Sequence, residues 1–413
     1  QPCSAKSSLC KSSSSPRGAV RRAEIVMAMS TMFPKFSTKV EGETIVMEQR
    51  LLKKVSHLVL NASKCTGCGI CADACPKEAI SLGMVGAAAR GATEGAPITV
   101  DPAKCSYCGV CTILCPFNSL AVEVDGEPSL PIKEQEGFPE YDFTAEINDE
   151  KCVRCESCSA ACPRDAIVRD VPVYEGEGGA VPRQAALDAE TKLTVDKEKC
   201  TACGICTSLC PALTMKRKPF SAEKVGVEGD VLWNVELCNA CKVCADACPH
   251  DAITVERVVK ADAKLAGSVS INKDDCVTCS WCEHVCPQEA VTIKKFFEGD
   301  ITFDASKCPG GCSTCAEVCP CNAIYLPSPV PATQLKRDSI EDNIAVNKDL
   351  CILCGACVNA CPSEDAIVLK RTGINVKGKE TDLFKKIAAK LMVPRTSKLV
   401  ESTFGQVETK KLE

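Results

Sequence analysis

The sequence predicts an α+β protein of four tandem units, each made of a strand, a cysteine run and a second strand, duplicated once. Three observations lead there: eight near-identical four-cysteine runs, a brief alternating strand ahead of each, and turn-rich inserts between them. Cysteine supplies 35 of 413 residues and aromatic residues only 4%. A unit of about 60 residues with so little organic core needs a staple to fold. Disulfides fit poorly, because a bridge needs its two Cα atoms roughly 4.4 to 6.8 Å apart in a particular orientation. Disulfide scaffolds are also short secreted chains, whereas these cysteines recur in tight groups along a long one. Metal centres are the expected staple.

Residues 1–50 read as an N-terminal extension, disordered in part. Its first thirty residues are rich in Ser and Arg, hold Cys3 and Cys10 outside every run, and read as a disordered leader or as residues upstream of a true start at Met27, Met29 or Met32. The four units are expected at 51–126, 144–220, 230–296 and 300–372, pairing runs one with two, three with four, five with six and seven with eight, because short connections make sequence neighbours spatial neighbours. Leading strands are expected at Leu58-Val-Leu60, Ile98-Thr-Val100, Ala145-Glu-Ile147, Leu193-Thr-Val195, Leu232 to Val235, Val269-Ser-Ile271, Ile301-Thr-Phe303 and Ile344-Ala-Val346. Most runs also have a trailing strand, such as Ala79 to Leu82 and Ala252 to Val255. Run four departs from this, since Pro211-Ala-Leu-Thr-Met lacks the usual trailing strand, which leaves open a domain inserted within another.

The inserts Gly83 to Pro97, Asp125 to Phe143, Glu175 to Glu190 and Pro327 to Pro331 have linker composition and read as tethers. Residues 373–413 form a C-terminal docking tail with a short helix. There Leu383, Phe384, Ile387, Ala388, Leu391 and Met392 recur at helical spacing opposite Lys385, Lys386 and Lys390.

Seven runs read CxxCxxCxxxCP: Cys65, Cys68, Cys71 and Cys75; Cys105, Cys108, Cys111 and Cys115; Cys152, Cys155, Cys158 and Cys162; Cys200, Cys203, Cys206 and Cys210; Cys238, Cys241, Cys244 and Cys248; Cys276, Cys279, Cys282 and Cys286; and Cys351, Cys354, Cys357 and Cys361. In the seventh in order, Cys308, Cys312, Cys315 and Cys319, the segment Pro309-Gly310-Gly311 lengthens the first gap by one residue. Three cysteines at i, i+3 and i+6 can wrap three corners of a 4Fe-4S cube, and in two-cluster ferredoxins the fourth cysteine of such a run ligates the other cluster. Zinc sites favour paired CxxC knuckles separated by a longer loop. The fold class is therefore four tandem bacterial-type 2x(4Fe-4S) ferredoxin domains joined by loops, with eight 4Fe-4S clusters as cofactors. Cys65, Cys68, Cys71 and Cys115 are expected to hold one cluster, and Cys105, Cys108, Cys111 and Cys75 its partner.

An oxidised core held by four thiolates carries a net charge of about −2, so eight would take the formal total from −5 to about −21. Such a body repels nucleic acid and attracts basic partner surfaces. No segment has the roughly 18 consecutive apolar residues of a membrane span. Three histidines in the whole chain leave little general-base capacity, and no catalytic constellation, phosphate loop or flavin fingerprint is present. His250 is expected to face solvent; His284, Cys321, Tyr107 and Trp281 also lie close to ligands, Cys321 as a small buried residue and the two aromatics as cluster lids.

The runs resemble those of archaeal polyferredoxins. More narrowly, CPGGCSTCAEVCPCNAI from Cys308 to Ile324 and WNVELCNACKVCADACPHDAI from Trp233 to Ile253 resemble the polyferredoxin subunit of formylmethanofuran dehydrogenase, over roughly Val55 to Arg371. The polyferredoxin associated with the methyl-viologen-reducing hydrogenase carries more runs. The resemblance implies a non-catalytic cytoplasmic subunit relaying low-potential electrons to or from a tungsten or molybdenum catalytic subunit, in carbon dioxide reduction or its reverse. Its implied partners are the other subunits of such a complex, with heterodisulfide reductase or a soluble ferredoxin beyond them. The alternatives are a polyferredoxin of a hydrogenase or heterodisulfide reductase system and an electron-storage protein. Iron and acid-labile sulfide in equal amounts, with a cluster signal in electron paramagnetic resonance (EPR) after reduction, is the expected analysis; zinc without sulfide would contradict it.

Overall fold

The structure is a computed structural model that describes residues 33–89, 96–171, 175–176, 179–180, 189–218, 228–238, 240–259, 264–309, 312–325 and 344–398. One pairing rule repeats through it: the strand leading into one run pairs antiparallel with the strand trailing another, and the converse pair closes the unit. Val55–Asn61 pairs with Leu120–Val124, and Ile80–Leu82 with Ile98–Val100, joining runs one and two. Phe297–Phe303 pairs with Ile367–Ile374, and Ile324–Tyr325 with Ala345–Val346, joining runs seven and eight.

The middle of the chain is nested, which corrects the expected units at 144–220 and 230–296. Thr144–Ile147 pairs with Val291–Lys294, and Ile167–Asp170 with Ser268–Ile271, so run three is joined to run six. Ala189–Val195 pairs with Ile253–Val259, and Leu213–Arg217 with Gly229–Trp233, so runs four and five form a module inserted within that one. The trailing strand thought missing from run four is therefore present at Leu213–Arg217. The physical reason for the misreading is that all leading strands look alike, so sequence proximity was the only cue. Because Asp170 and Ser268 are paired neighbours, the outer module closes at one edge and the insertion leaves from it.

The leader expected over the first thirty residues lies outside the described residues, but residues 33–50 of the extension are ordered. Lys35–Glu41 and Thr44–Arg50 form a hairpin turning at Gly42, which takes a left-handed φ of 62°, and the hairpin adds to the first module's sheet along Val55–Asn61. Met47 from this hairpin is buried with Leu58, Leu60 and Val122. The boundary expected at residue 51 therefore moves forward to the hairpin.

Two inserts read as tethers are packing elements instead. The helix Val85–Ala89 lies against the last module, where Gly86 approaches Ala360 so closely that a Cβ would sit 2.8 Å from its carbonyl oxygen. The second insert carries the helix Pro131–Glu136 and buries Ile132, Phe138 and Tyr141. The Tyr141 hydroxyl donates to the Leu114 carbonyl at 3.0 Å, and its ring meets Phe296 and Phe297 at centroid distances of 4.6 and 5.6 Å.

The expected tail helix is Asp382–Met392. The Thr381 side chain caps it by accepting from the Phe384 N–H at 3.2 Å, and Pro394 stands where it cannot continue. Its apolar face is covered by this chain rather than left for a partner. Phe384, Ile387 and Leu391 are buried, at about 1.5–3 kcal/mol each, against the helix Ile70–Ala74 of the first module and the strand Ile367–Ile374 of the last. The docking tail is thus an internal clasp. One apolar core runs from Ile70 and Val110 through Phe138, Ile205, Val277 and Trp281 to Leu350 and Leu391, fusing all four modules. Among the described residues no helix is long and apolar enough to cross a membrane.

Nesting makes a quantitative prediction. Deleting residues 172–266 leaves Val171 and Gly267 as a two-residue turn between paired strands, and iron content should fall by about a quarter. Sequential pairing would break two units and remove about half.

Candidate metal centres

Each run begins as an extended loop and ends in one helical turn, such as Ile70–Ala74, Val110–Ile113 and Ala356–Ala360. The turn must start abruptly for three cysteines to face a common point. Seven runs manage this with a left-handed residue immediately ahead of it, as at Gly69 with φ of 79°, but equally at Glu156 with 72°, Lys242 with 62° and Ser280 with 70°. A side chain there costs about 1–2 kcal/mol, so the bend is imposed by the centre rather than by glycine. Run seven differs: Ser313, immediately ahead of its turn, has an ordinary φ of −107°.

The thiols gather crosswise. Cys65, Cys68 and Cys71 share mutual electrostatic influence with Cys115, and Cys105, Cys108 and Cys111 with Cys75. In the nested pair, Cys152, Cys155 and Cys158 meet Cys286, while Cys276, Cys279 and Cys282 meet Cys162. In the inserted module Cys200, Cys203 and Cys206 meet Cys248, and Cys238, Cys241 and Cys244 meet Cys210. In the last, Cys308, Cys312 and Cys315 meet Cys361, and Cys351, Cys354 and Cys357 meet Cys319.

Four of the tetrads line small pockets, those containing Cys248, Cys361, Cys319 and Cys162. Among the described residues no three His, Cys, Asp or Glu side chains converge closely enough to hold a single ion. Three cysteines of one run joined by the last cysteine of another is the arrangement that holds a polyatomic 4Fe-4S core.

Backbone N–H groups point at sulfur in a repeating way. The N–H four residues beyond the last cysteine donates to it in Ala79 to Cys75, Ala166 to Cys162, Ala252 to Cys248 and Ala290 to Cys286, at 3.2–3.3 Å. The N–H two residues beyond the first donates in Tyr107 to Cys105 and Leu353 to Cys351, both at 3.4 Å. Such donors stabilise anionic sulfur. Without metal, burial followed by neighbouring thiols pushes Cys158 and Cys315 each up to about 12, so binding a core must displace protons.

The neighbouring residues sort differently from expectation. His250 is half-buried and lines the cavity of the Cys248 tetrad, correcting its solvent-facing assignment, whereas His284 is exposed. Trp281 lines the Cys162 cavity and donates its indole N–H to the Cys321 carbonyl at 2.7 Å. Tyr107 is buried in the first module's core. Cys321 is buried, and its thiol donates to Cys279, holding that sulfur below the usual thiol range; this bond, followed by burial, pushes Cys321 itself well above it. Cys321 therefore bridges modules, while Cys319 completes the tetrad.

The sequence matches a family described as 4Fe-4S dicluster domain over residues 64–119, 151–213, 237–290 and 307–366. The chain belongs to the 4Fe-4S dicluster ferredoxins. Related dicluster families match 199–253 and 97–163. The match at 97–163 straddles two modules, and so do those at 151–213 and 237–290, each of which takes one run from the outer module and one from the inserted module. No curated protein matches the chain. A chain in the formate dehydrogenase, heterodisulfide reductase and formylmethanofuran dehydrogenase complex of Methanospirillum hungatei is similar at 47% identity and a TM-score of 0.65, covering 91% of this dicluster ferredoxin and 96% of that chain.

The crossed tetrads predict which thiols each ligand protects. In Cys361→Ala, Cys308, Cys312 and Cys315 should become open to alkylation in the native protein while Cys351, Cys354 and Cys357 stay protected, as peptide mass spectrometry would show. The reverse pattern would mean that each run keeps its own fourth cysteine.

Proposed function

We propose that this chain is the electron-relaying polyferredoxin subunit of a formylmethanofuran dehydrogenase-type complex, its 32 run cysteines holding eight 4Fe-4S clusters. When bound, such clusters supply one-electron transfer at low potential. The chain's own residues hold the sulfurs in place, exclude water through the shared core, and set the spacing between tetrads. The observation that carries the reading is the crossed gathering of run cysteines in four modules that one apolar core ties together, with 47% identity to a chain of such a complex supporting the assignment. Thiol ligands require a reducing compartment, and cytoplasmic residence is proposed on that ground. Partners follow the same resemblance: a tungsten or molybdenum catalytic subunit, with heterodisulfide reductase or a soluble ferredoxin beyond it.

The arrangement also revises where a relay would be interrupted. By sequence order the Cys203 and Cys206 site is central, but it belongs to the inserted module. The tetrad of Cys351, Cys354, Cys357 and Cys319 has neighbours on two sides: Cys354 influences Cys68 of the first module, and Cys319 is influenced by Cys279 of the nested one. Cys354→Ser with Cys357→Ser should therefore abolish turnover with the physiological donor while turnover with a small dye at the catalytic subunit survives. Cys203→Ser with Cys206→Ser should do so only for a donor docking at the inserted module. Unchanged physiological turnover in both variants, with the other centres intact, would favour storage over relay.

A further inference from the structure

Arg371 lies on the strand Ile367–Ile374 and is 2% exposed. Its Nε donates to the Leu353 carbonyl at 2.9 Å, its Nη2 to the Cys354 carbonyl at 2.8 Å, and its Nη1 to the Leu391 carbonyl at 3.2 Å. The guanidinium sits over the Phe297 ring at 4.9 Å. No carboxylate pairs with it among the described residues. Its cationic neighbour Arg395 is different, bound to Asp73 at 3.0 Å. A buried cation held only by carbonyl dipoles and a ring is expensive, and native proteins supply it with an anion.

The acidic groups whose charge acts most on Arg371 are Cys354, Cys68 and Tyr141. Burial pushes the Tyr141 phenol well above its usual range, so it stays neutral. That leaves a thiol from each of two tetrads, one on either side of a module junction. Gly355 shows how tight the junction is: a Cβ there would lie 3.5 Å from both Arg371 Nη2 and the Cys68 carbonyl oxygen.

Resting on the cluster reading above, we infer that Arg371 is the shared counter-cation of the Cys354 and Cys68 centres, favouring their reduced forms at the junction between the last and first modules. Each reduction there adds one electron from a low-potential donor and one negative charge beside the guanidinium, and reoxidation returns that electron to an acceptor. No proton needs to move, because the arginine is already charged. A neutral residue would leave the added charge uncompensated and make that reduction harder.

The test is an anaerobic potentiometric titration followed by EPR and visible absorption on wild type, Arg371→Gln and Arg371→Lys. Iron and sulfide content of the wild type checks the cluster reading separately. With all centres assembled, the glutamine variant should show, for one or two centres, a reduced-to-oxidised ratio at fixed potential lower by about tenfold, equal to about 59 mV for a one-electron couple. The lysine variant should follow wild type. Loss of centres in the glutamine variant but not the lysine variant would also support a charge role. Unshifted potentials in the glutamine variant, or equal shifts or equal loss of centres in both, would overturn it in favour of a hydrogen-bonding or packing role.

Discussion

The structure depends on one constraint: the fourth cysteine of every run faces the centre of another run. A tetrad cannot close unless two runs approach, so strand pairing, core formation and metal-site assembly are coupled. The leading strand of one run must lie beside the trailing strand of its partner, as Val55–Asn61 lies beside Leu120–Val124. The helical turn between the third and fourth cysteines then delivers its sulfur across the unit. Left-handed residues such as Glu156 and Lys242 are held in place by this closure. The crossing also explains how one module can sit inside another, since an inserted pair disturbs only the loop between two strands.

The sequence was legible wherever chemistry imposed a period. The four-cysteine runs, most strands and the tail helix follow from spacing alone. What escaped was relational. Any leading strand can pair with any trailing one, so the union of runs three and six had no signature beyond the odd stretch after Cys210. Leu213–Arg217 was missed as a strand because Pro211 and its exposed polar residues weaken the alternation. Phe138, Tyr141 and Phe143 gave a cue that went unused: three aromatics clustered in a supposed tether of a chain poor in them. Arg371 had no sequence signal at all, because its meaning depends on Cys68, far away in the chain.

The same packing that stabilises the fold brings the tetrads near one another across modules. Phe138 and Phe384 meet edge to face at 5.7 Å, tying the second insert to the tail helix. Asn359 donates to the Gly67 carbonyl at 2.8 Å, and Lys64 pairs with Asp275 at 2.8 Å, so the first module is fixed to both the last and the nested ones. At two junctions a polar group lies beside a ligand: Arg371 next to Cys354, and the Cys321 thiol against Cys279. Both are buried where charge would have to pass between modules, and both act on sulfur through short-range electrostatics. A thin organic core is thereby put to use, with cysteine contributing both apolar burial and ligation.

The most direct measurement is anomalous diffraction at the iron edge from crystals grown without oxygen. The account predicts eight iron peaks, each resolvable as a compact group of four and each surrounded by three sulfurs of one run and the fourth sulfur of its structural partner, including Cys286 with Cys152 and Cys361 with Cys308. Fewer peaks, single-ion peaks, or peaks bounded by all four cysteines of one run would contradict it.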